Sequence, residues 1–217
     1  MILYATALSS YSAKVRIVLI AKGVLFEERE PPDGYRSSAY RALVPMGTLP
    51  ALEDDGLVLS ESEAINEYLD ERFPEPPLLP ATPVARARVR FLSRFHDLYL
   101  EPPVRALFPH VSPVRRDAAM VAARMAELRQ RVNQLATLAD PAPYLAGETL
   151  SLADCGYAVT LPLVDMLAAA LGELLPLAPA ITQWRALLAR HAAVERALSA
   201  WRPATERWIA ARLDATT

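Results

Sequence analysis

The sequence is poor in cysteine, histidine and glycine, and each shortage excludes a class of chemistry. Cys155 is the single cysteine among 217 residues, so neither an intramolecular disulfide nor a CxxC redox pair can form. The three histidines are far apart and lack the spacing of zinc ligands, so we expect no metal site. The seven glycines form neither GxGxxG nor GxxxxGK, which leaves no loop typical of phosphate binding.

The sequence also lacks an excess of charge and a long apolar run. Its 23 basic and 25 acidic side chains are interspersed, without the basic stripe that nucleic-acid binding requires. No apolar run approaches the roughly 20 residues of a bilayer-spanning helix. Met1-Ile2-Leu3-Tyr4 predicts a strand, without the basic segment and cleavage pattern of a signal peptide. We therefore expect a cytoplasmic protein with no nucleic-acid partner and no membrane partner.

The first 75 residues alternate between strand and helix patterns. The predicted elements are a strand at 2–5, a helix at 10–22, a strand at 24–30, a weak helix at 35–44, the hairpin LPALEDDGLVLS and an amphipathic helix at 61–72. The hairpin turns at Asp54-Asp55-Gly56, a sequence typical of a tight turn. This order of elements predicts an α/β layer with a mixed sheet.

A proline-rich segment separates this layer from a helical remainder. FPEPPLLPATP, residues 73–83, holds five prolines and predicts a semi-rigid linker. We predict domains at residues 1–76 and 85–217, joined by a linker at 77–84. Pro102-Pro103 should end or kink the first helix of the second domain, and Pro162 should kink the third. The candidate helices span 84–108, 114–139, 151–170, 181–190 and 192–213.

Three motifs, in this order and spacing, carry a resemblance that covers the whole chain. They are SSYSAKVRI, TLPALEDDGLVLSESEAI and YLAGETLSLADC. The sequence resembles the cytosolic glutathione transferases of the serine type and is similar in pattern to bacterial zeta-like members. The resemblance implies a thioredoxin-like N-terminal domain with a mixed four-stranded sheet, and an all-α C-terminal helical bundle. It also implies glutathione as co-substrate, a small electrophilic second substrate, and a homodimer built from the helices at 62–72 and 84–100.

Glutathione binding is expected at LSESEAI and at Pro50, the proline before the first strand of the hairpin. Ser60 and Glu63 have the spacing of a capping box, which would place Glu61 and Ser62 in the first helical turn. There Ser62 could hold the γ-glutamyl carboxylate and Glu61 its ammonium, although acids are common in first turns anyway. The resemblance makes Leu49-Pro50 a cis bond whose Leu49 backbone pairs with glutathione; a trans edge-strand proline is the alternative.

The serines that follow the first strand are candidates for activating the thiol of glutathione. Only the thiolate is nucleophilic, and a hydroxyl donor at a helix N-terminus lowers the thiol pKa. Ser9 matches the catalytic serine of serine-type transferases, with Ser10 as the second candidate. The alternative is that either serine acts only as an N-cap. Tyr11 stands where zeta and beta members usually carry a cysteine.

The second-substrate pocket is expected between the loop after the first strand and the first long helix of the C-terminal domain. Tyr11, Tyr99 and Arg105 are its principal candidates, and Leu8, Phe108 and His110 are further ones. The pair Asp97 and Glu101 has i,i+4 spacing, which core packing or a solvated helix face explains equally well. Ser151-x-x-Asp154 predicts a capping box, and Cys155 beside it predicts a buried small side chain.

One segment departs from the family pattern. Gly47-Thr48 stands where a Lys or Gln normally holds the glycine carboxylate of glutathione, and Arg36, Tyr40 or Arg41 could substitute. We therefore carry three functions forward: a glutathione transferase, a maleylacetoacetate or maleylpyruvate type of isomerase, and a non-catalytic stringent-starvation-like protein-binding regulator. A thiol-transferring reductase needs a cysteine near position 9 or 11, and none is there.

Overall fold

The computed structural model describes residues 1–215 and has a small α/β part followed by a helical part. The predicted fold class is confirmed: within the described residues, one mixed sheet has the order β2-β1-β3-β4. β1 pairs parallel with β2 and antiparallel with β3, and β3 pairs antiparallel with β4. The elements of this part are β1 (Ile2–Tyr4), α1 (Ser10–Ala21), β2 (Glu27–Arg29), α2 (Ser38–Leu43), β3 (Ala51–Asp54), β4 (Leu57–Ser60) and α3 (Ser62–Arg72).

The hairpin between β3 and β4 forms where the sequence predicts it. Asp55 and Gly56 connect the strands with φ of 48° and 84°, the left-handed backbone of a tight two-residue hairpin turn. This turn sets the register that places Leu52 opposite Leu59, and on its other side Leu52 lies opposite Leu3 of β1. The sheet therefore has a fixed edge from which α3 begins.

The helical part follows the proline segment and packs directly on the first part. Its helices are α4 (Pro83–Phe95), α5 (Glu101–Leu107), α6 (Ala118–Leu138), α7 (Leu152–Leu171), α8 (Pro179–Arg190) and α9 (Ala192–Leu213). α1 lies against α7 and α9, and one hydrophobic core runs through both parts. The domain boundaries at 76 and 85 stay a prediction, and residues 216–217 of the predicted second domain lie outside the described residues.

The first predicted helix of this part is interrupted earlier than expected. A π-helical turn, His96–Leu100, separates α4 from α5, so the break precedes Pro102-Pro103. The two prolines lie in the first turn of α5, directly after the π turn. The wider π turn carries His96, Asp97 and the residues after them toward α1 and α7. α7, in contrast, continues as a helix through Pro162.

Helix α7 corrects one expectation from composition. By length and composition alone it could cross a bilayer, yet 78% of its most apolar stretch is buried inside the protein. Its capping box is confirmed, because the Asp154 carboxylate accepts the Ser151 backbone N–H at 2.8 Å. Cys155 is buried in the same helix, and burial raises the pKa of its thiol.

Candidate functional site

The N-terminus of α1 orders the serines of the first motif. Ser9 is the N-cap, and its Oγ accepts the backbone N–H of Ser12 at 3.1 Å. This is the structural alternative for Ser9, but an accepting hydroxyl still has its own hydrogen to donate. Ser10 is buried, and its Oγ accepts a hydrogen bond from the Arg105 guanidinium on α5. The two serines therefore have different partners.

Arg105 connects this helix start to the helical part. Its Nε donates to Glu101 Oε2 at 2.7 Å, and its guanidinium carbon lies 4.7 Å from the Tyr11 ring centroid and 5.1 Å from that of Phe108. Burial, followed by the Glu101 charge, raises the pKa of Tyr11, so this phenol stays protonated at neutral pH. The structure thus brings together the predicted residues Ser10, Tyr11 and Arg105.

The Leu49-Pro50 bond is cis, as the resemblance implies. Leu49 lies beyond Ala51, the first paired residue of β3, so its backbone stands outside the strand ladder. The segment is held from behind by Tyr40, which is fully buried and whose hydroxyl donates to the Thr48 carbonyl at 3.0 Å. The prediction that Tyr40 could hold the glycine carboxylate of glutathione is therefore wrong, because the Tyr40 hydroxyl already bonds the protein backbone.

The predicted capping box at Ser60 and Glu63 is wrong. α3 begins at Ser62 with Glu61 as N-cap, and Glu61 makes no side-chain capping bond. The Glu63 carboxylate instead forms an ion pair with the buried Lys14, an interaction that the local sequence does not show. Glu61 has φ of 72°, which is strained for a residue with a side chain and is typical of functional positions.

Two adjacent cavities open around these elements. The first, which we call the Ser62 cavity, has about 290 Å³ and lies between α3, the cis-proline segment and the π turn. It is lined by Tyr11, Thr48, Leu49, Pro50, Glu61, Ser62, Arg94, Asp97 and Leu98. Leu49, Pro50, Glu61 and Ser62, the residues expected to bind glutathione, all line this one cavity.

The second, which we call the arginine cavity, has about 700 Å³ and lies between the start of α1, α5 and α9. Its lining includes Ser9, Ser10 and Arg105 from the predicted set, and it shares Tyr11, Thr48 and Leu49 with the Ser62 cavity. Sequence reasoning missed eight of its lining residues, which no local motif marks: Thr6, Tyr35, Pro109, Arg115, Leu163, Thr205, Trp208 and Arg212.

Two predicted pocket residues lie elsewhere. Tyr99 lines neither cavity; its ring stacks on Phe95 at 5.5 Å, and Arg131 covers it at 5.4 Å. His110 lines neither cavity and accepts the Asp117 backbone N–H at 3.2 Å. Tyr99 lies in the π turn, where its ring contacts Phe95 and Arg131 and not the residues of either cavity.

Buried charges form the wall behind the Ser62 cavity. Lys14 is fully buried and pairs with Glu63 and with Asp97, the latter at 3.0 Å. Burial opposes the Lys14 charge, but the two carboxylates outweigh burial and raise the pKa of Lys14. Burial would likewise raise the pKa of Asp97, but the hydrogen bond from His96 and the charge of Lys14 lower it to about 2. Neither explanation offered for the spacing of Asp97, core packing or a solvated helix face, therefore describes it. Asp97 is a largely buried charge that contacts Lys14 and His96.

The same network continues to the arginine cavity. His96 Nδ1 lies 2.7 Å from Asp97, and its Nε2 lies 2.7 Å from Thr160 Oγ1, which bonds Glu101. Glu101 is almost fully buried and holds Arg105. Burial disfavours the Glu101 charge, but Arg105 and His96 together lower the pKa of its carboxyl. One chain of polar contacts thus connects Glu63, behind the Ser62 cavity, with Ser10 at the arginine cavity.

Comparisons with known proteins match this architecture along most of the chain. The glutathione S-transferase N-terminal domain family matches residues 3–77, and the glutathione S-transferase C-terminal domain family matches residues 95–209. A stringent starvation protein A homolog of Pasteurella multocida is 39% identical over 157 residues, covering 71% of this chain and 70% of that protein.

Two solved structures share the fold. The theta class glutathione S-transferase of Xanthomonas axonopodis pv. citri, with glutathione bound, has a TM-score of 0.78 and 26% identity over 91% of this chain and 96% of that chain. A bacterial zeta class maleyl pyruvate isomerase has a TM-score of 0.72 and 32% identity over 94% of this chain and 99% of that chain. From the paired domains and the matched fold, the chain belongs to the glutathione S-transferase family.

Proposed function

We propose that the protein is a glutathione transferase that binds glutathione in the Ser62 cavity and presents its sulfur to an electrophile in the arginine cavity. One observation carries this proposal: the four residues expected to hold glutathione line a single cavity beside the N-terminus of α3. The two cavities meet at Tyr11, Thr48 and Leu49, which line both, and the proposal puts the sulfur at this boundary.

Each end of the tripeptide finds a matching group. The first backbone N–H groups of α3 lack intrahelical partners, so with the Ser62 hydroxyl they can hold the γ-glutamyl carboxylate. The Glu61 and Asp97 carboxylates line the same cavity and can hold the γ-glutamyl ammonium. At the other end, Arg36 lies with Gly47-Thr48 along the arginine cavity and can pair with the glycine carboxylate. The Leu49 backbone can then extend the sheet by pairing with the cysteinyl unit.

We assign the stabilisation of the thiolate to Ser9, with Ser10 as the alternative. Both hydroxyls line the arginine cavity at the N-terminus of α1, where a negative charge is favoured. A glutathione thiol has a pKa near 8.5, so lowering it by one unit raises the thiolate fraction at neutral pH nearly tenfold. The thiolate sulfur would then form a bond to an electrophilic carbon.

The functional unit is proposed to be a cytoplasmic homodimer that uses α3 and α4. Its support is a row of exposed apolar side chains, Val84 and Phe91 on α4 and Leu98 in the π turn, spaced seven residues apart. Light scattering tests this, because a dimer has twice the 23.8 kDa of the chain.

Two other functions have specific support. The similarity to the zeta class maleyl pyruvate isomerase favours an isomerase, in which the thiolate would add to a double bond and leave after rotation. Tyr11 in place of the expected cysteine speaks against it. The similarity to the Pasteurella multocida stringent starvation protein A homolog, with the altered Gly47-Thr48 segment, favours a protein-binding regulator.

Binding to immobilised glutathione, followed by a conjugation assay with 1-chloro-2,4-dinitrobenzene, separates these functions. We expect binding and conjugation, and we expect Ser62→Ala to weaken glutathione affinity about tenfold, since it removes a hydrogen bond to a charged group. Ser60→Ala is the matched control and should bind normally, because α3 does not use Ser60 as its cap. Failure to bind millimolar glutathione would favour the regulator; binding without conjugation, but with conversion of maleylpyruvate, would favour the isomerase.

A further inference from the structure

The arginine cavity has a lining with one sign of charge. Arg36, Arg105, Arg115 and Arg212 line it, and no aspartate or glutamate does. They come from four separate segments: the turn before α2, helix α5, the 3-10 turn Pro113–Arg115, and α9. The neighbouring Ser62 cavity has Glu61, Asp97 and a single arginine, Arg94. Of these two cavities, only the arginine cavity therefore has an excess of positive charge.

Three of these guanidinium groups lie over aromatic rings that also line the cavity. Arg36 lies 5.2 Å from the Tyr35 ring centroid, Arg105 lies 5.1 Å from Phe108, and Arg212 lies 5.1 Å from Trp208. The Phe108 and Trp208 rings are themselves in contact, with centroids 5.2 Å apart. A guanidinium that stacks on a ring is held in place and keeps its N–H edge free for a carboxylate. The cavity thus combines flat apolar walls with oriented hydrogen-bond donors.

The positive charge of the lining is only partly balanced. Glu101 neutralises Arg105, whereas the ion pairs found among residues 1–215 include none with Arg36, Arg115 or Arg212. The glycine carboxylate of a bound glutathione would use Arg36. Arg115 and Arg212 would still face the space left for the second substrate. Their charges are neither needed to hold the fold nor satisfied by the tripeptide.

We propose that the second substrate is an anion: a planar aromatic or conjugated molecule with a carboxylate and a separate electrophilic carbon. This rests on the proposed function, and it narrows the substrate from electrophiles in general to anionic ones. The rings of Phe108 and Trp208 would cover its flat body, and Arg115 and Arg212 would bind its carboxylate. With an aryl chloride, the thiolate sulfur bonds the ring carbon, chloride leaves with the bonding electron pair, and the thiol proton passes to solvent.

The charge preference can be measured without any reaction. We would titrate the protein, free of glutathione, with 4-amino-3-nitrobenzoate and with its neutral isostere 4-amino-3-nitrobenzamide in a calorimeter. Neither compound has a leaving group, so both report binding alone. The benzoate is expected to bind about tenfold tighter, as for hydrogen bonds between charged groups, and its advantage should shrink as salt is added. Equal binding, tighter binding of the amide, or no binding of either would overturn the proposal.

Variants locate the preference. Arg115→Gln and Arg212→Gln should each lower the benzoate advantage about threefold, and the double variant should nearly abolish it, each within the range of single charge pairs. Arg207→Gln is the matched control, since it removes the same charge from α9 at an exposed position outside the cavity. If Arg207→Gln had the same effect as Arg212→Gln, the preference would reflect overall charge and the proposal would be wrong.

Measuring conjugation rates then distinguishes the anionic-substrate proposal from the proposed transferase function. The rates of 4-chloro-3-nitrobenzoate and 4-chloro-3-nitrobenzamide with glutathione would each be divided by the uncatalysed rate. We expect the benzoate to be favoured, and we expect Arg212→Gln to raise the KM of the benzoate more than that of the benzamide. Conjugation of both compounds at equal normalised rates would leave the transferase intact and overturn the anionic substrate. A benzoate preference in a protein that does not bind glutathione would support the anion site and overturn the transferase.

Discussion

The Ser62 cavity and the arginine cavity are neighbours, yet they use charge in opposite ways. Behind the Ser62 cavity, Lys14 lies between Glu63 and Asp97, pairs with both carboxylates and is almost completely buried. In the second, Arg115 is exposed and Arg212 half-exposed, and neither forms an ion pair among the described residues. Buried, paired charges fix the position of a wall, whereas unpaired charges at a cavity surface remain available for a ligand.

This difference has an energetic consequence. Removing one member of a buried pair leaves an uncompensated charge in the core, which typically costs 3–5 kcal/mol, as an order of magnitude. Removing a solvent-facing arginine usually changes the free energy of unfolding by less than about 0.5 kcal/mol. The two cavities should therefore respond in opposite ways to charge removal: the first loses stability, and the second loses ligand affinity.

The largest effect is expected for Lys14→Met. The change keeps much of the side-chain volume but leaves Glu63 and Asp97 buried without their cation. We expect the free energy of unfolding to fall by about 3–5 kcal/mol, measured by urea denaturation. Arg212→Met is the matched control in the arginine cavity. It should lower the free energy of unfolding by no more than about 0.5 kcal/mol.

The second carboxylate makes this test decisive even if Lys14→Met folds poorly. The double variant Lys14→Met with Glu63→Gln removes one of the two stranded charges, so it should recover part of the lost stability. Should Lys14→Met be as stable as the unmodified protein, the buried pair would not hold this wall, and the contrast between the cavities would be broken.

The sequence predicted the Ser62 cavity better than the arginine cavity for a physical reason. Leu49, Pro50, Glu61 and Ser62 belong to two short motifs, and a turn or a helix start acts through neighbours along the chain. Arg115 and Arg212 meet only through the packing of distant helices, which no local pattern records. The Ser60 capping box failed for the same reason, since the partner of Glu63 is Lys14 on another helix.

The π turn gives a second example of this limit. The spacing of Asp97 and Glu101 fits a regular helix, and both core packing and a solvated face were compatible with it. Instead Asp97, which lies in the π turn His96–Leu100, pairs with Lys14, and His96 and Thr160 complete the link to Glu101. Only the positions of α1 and α7 in space make these buried acids predictable.

An effect of intermediate size is expected when the pH is lowered, because the free energy of unfolding depends on the ionised form of Asp97. The pKa of Asp97 is lowered to about 2 in the fold, below the ordinary value near 3.9. Its ionised form therefore stabilises the protein above about pH 4, and this contribution is lost as pH falls through 2. The difference between these two pKa values corresponds to between about 2 and 3 kcal/mol. We expect the free energy of unfolding to decrease between pH 4 and pH 2, and Asp97→Asn to reduce that decrease by about this amount.

Arg94→Gln is the control for this slope, because Arg94 also lines the Ser62 cavity but lies 4.0 Å from Asp97 and is mostly exposed. It should leave the pH dependence nearly unchanged. An Asp97→Asn protein with the full acid slope would place that slope on other carboxyls, such as Glu101, whose pKa is also lowered.

The last prediction concerns Ser9, which lines the arginine cavity at the N-terminus of α1, and its expected effect on stability is smaller than those at Lys14 and Asp97. Its Oγ caps α1 through the Ser12 N–H, and its hydrogen is proposed to stabilise the thiolate. Ser9→Ala removes both functions at once, so it cannot distinguish them. Glycine is nearly as good an N-cap as serine, within a few tenths of a kcal/mol, whereas alanine costs about 1 kcal/mol. Ser9→Gly therefore keeps the cap and removes only the hydroxyl.

We expect Ser9→Ala and Ser9→Gly to raise the pKa of bound glutathione by the same amount, about one unit, because both lose the donor. The ultraviolet absorbance of the thiolate, followed against pH, measures this directly. Only Ser9→Ala should also lose about 1 kcal/mol of unfolding free energy. If Ser9→Gly ionises glutathione normally while Ser10→Ala does not, the donor is Ser10. The hydroxyl that Arg105 holds would then activate the sulfur, and Ser9 would serve the helix alone.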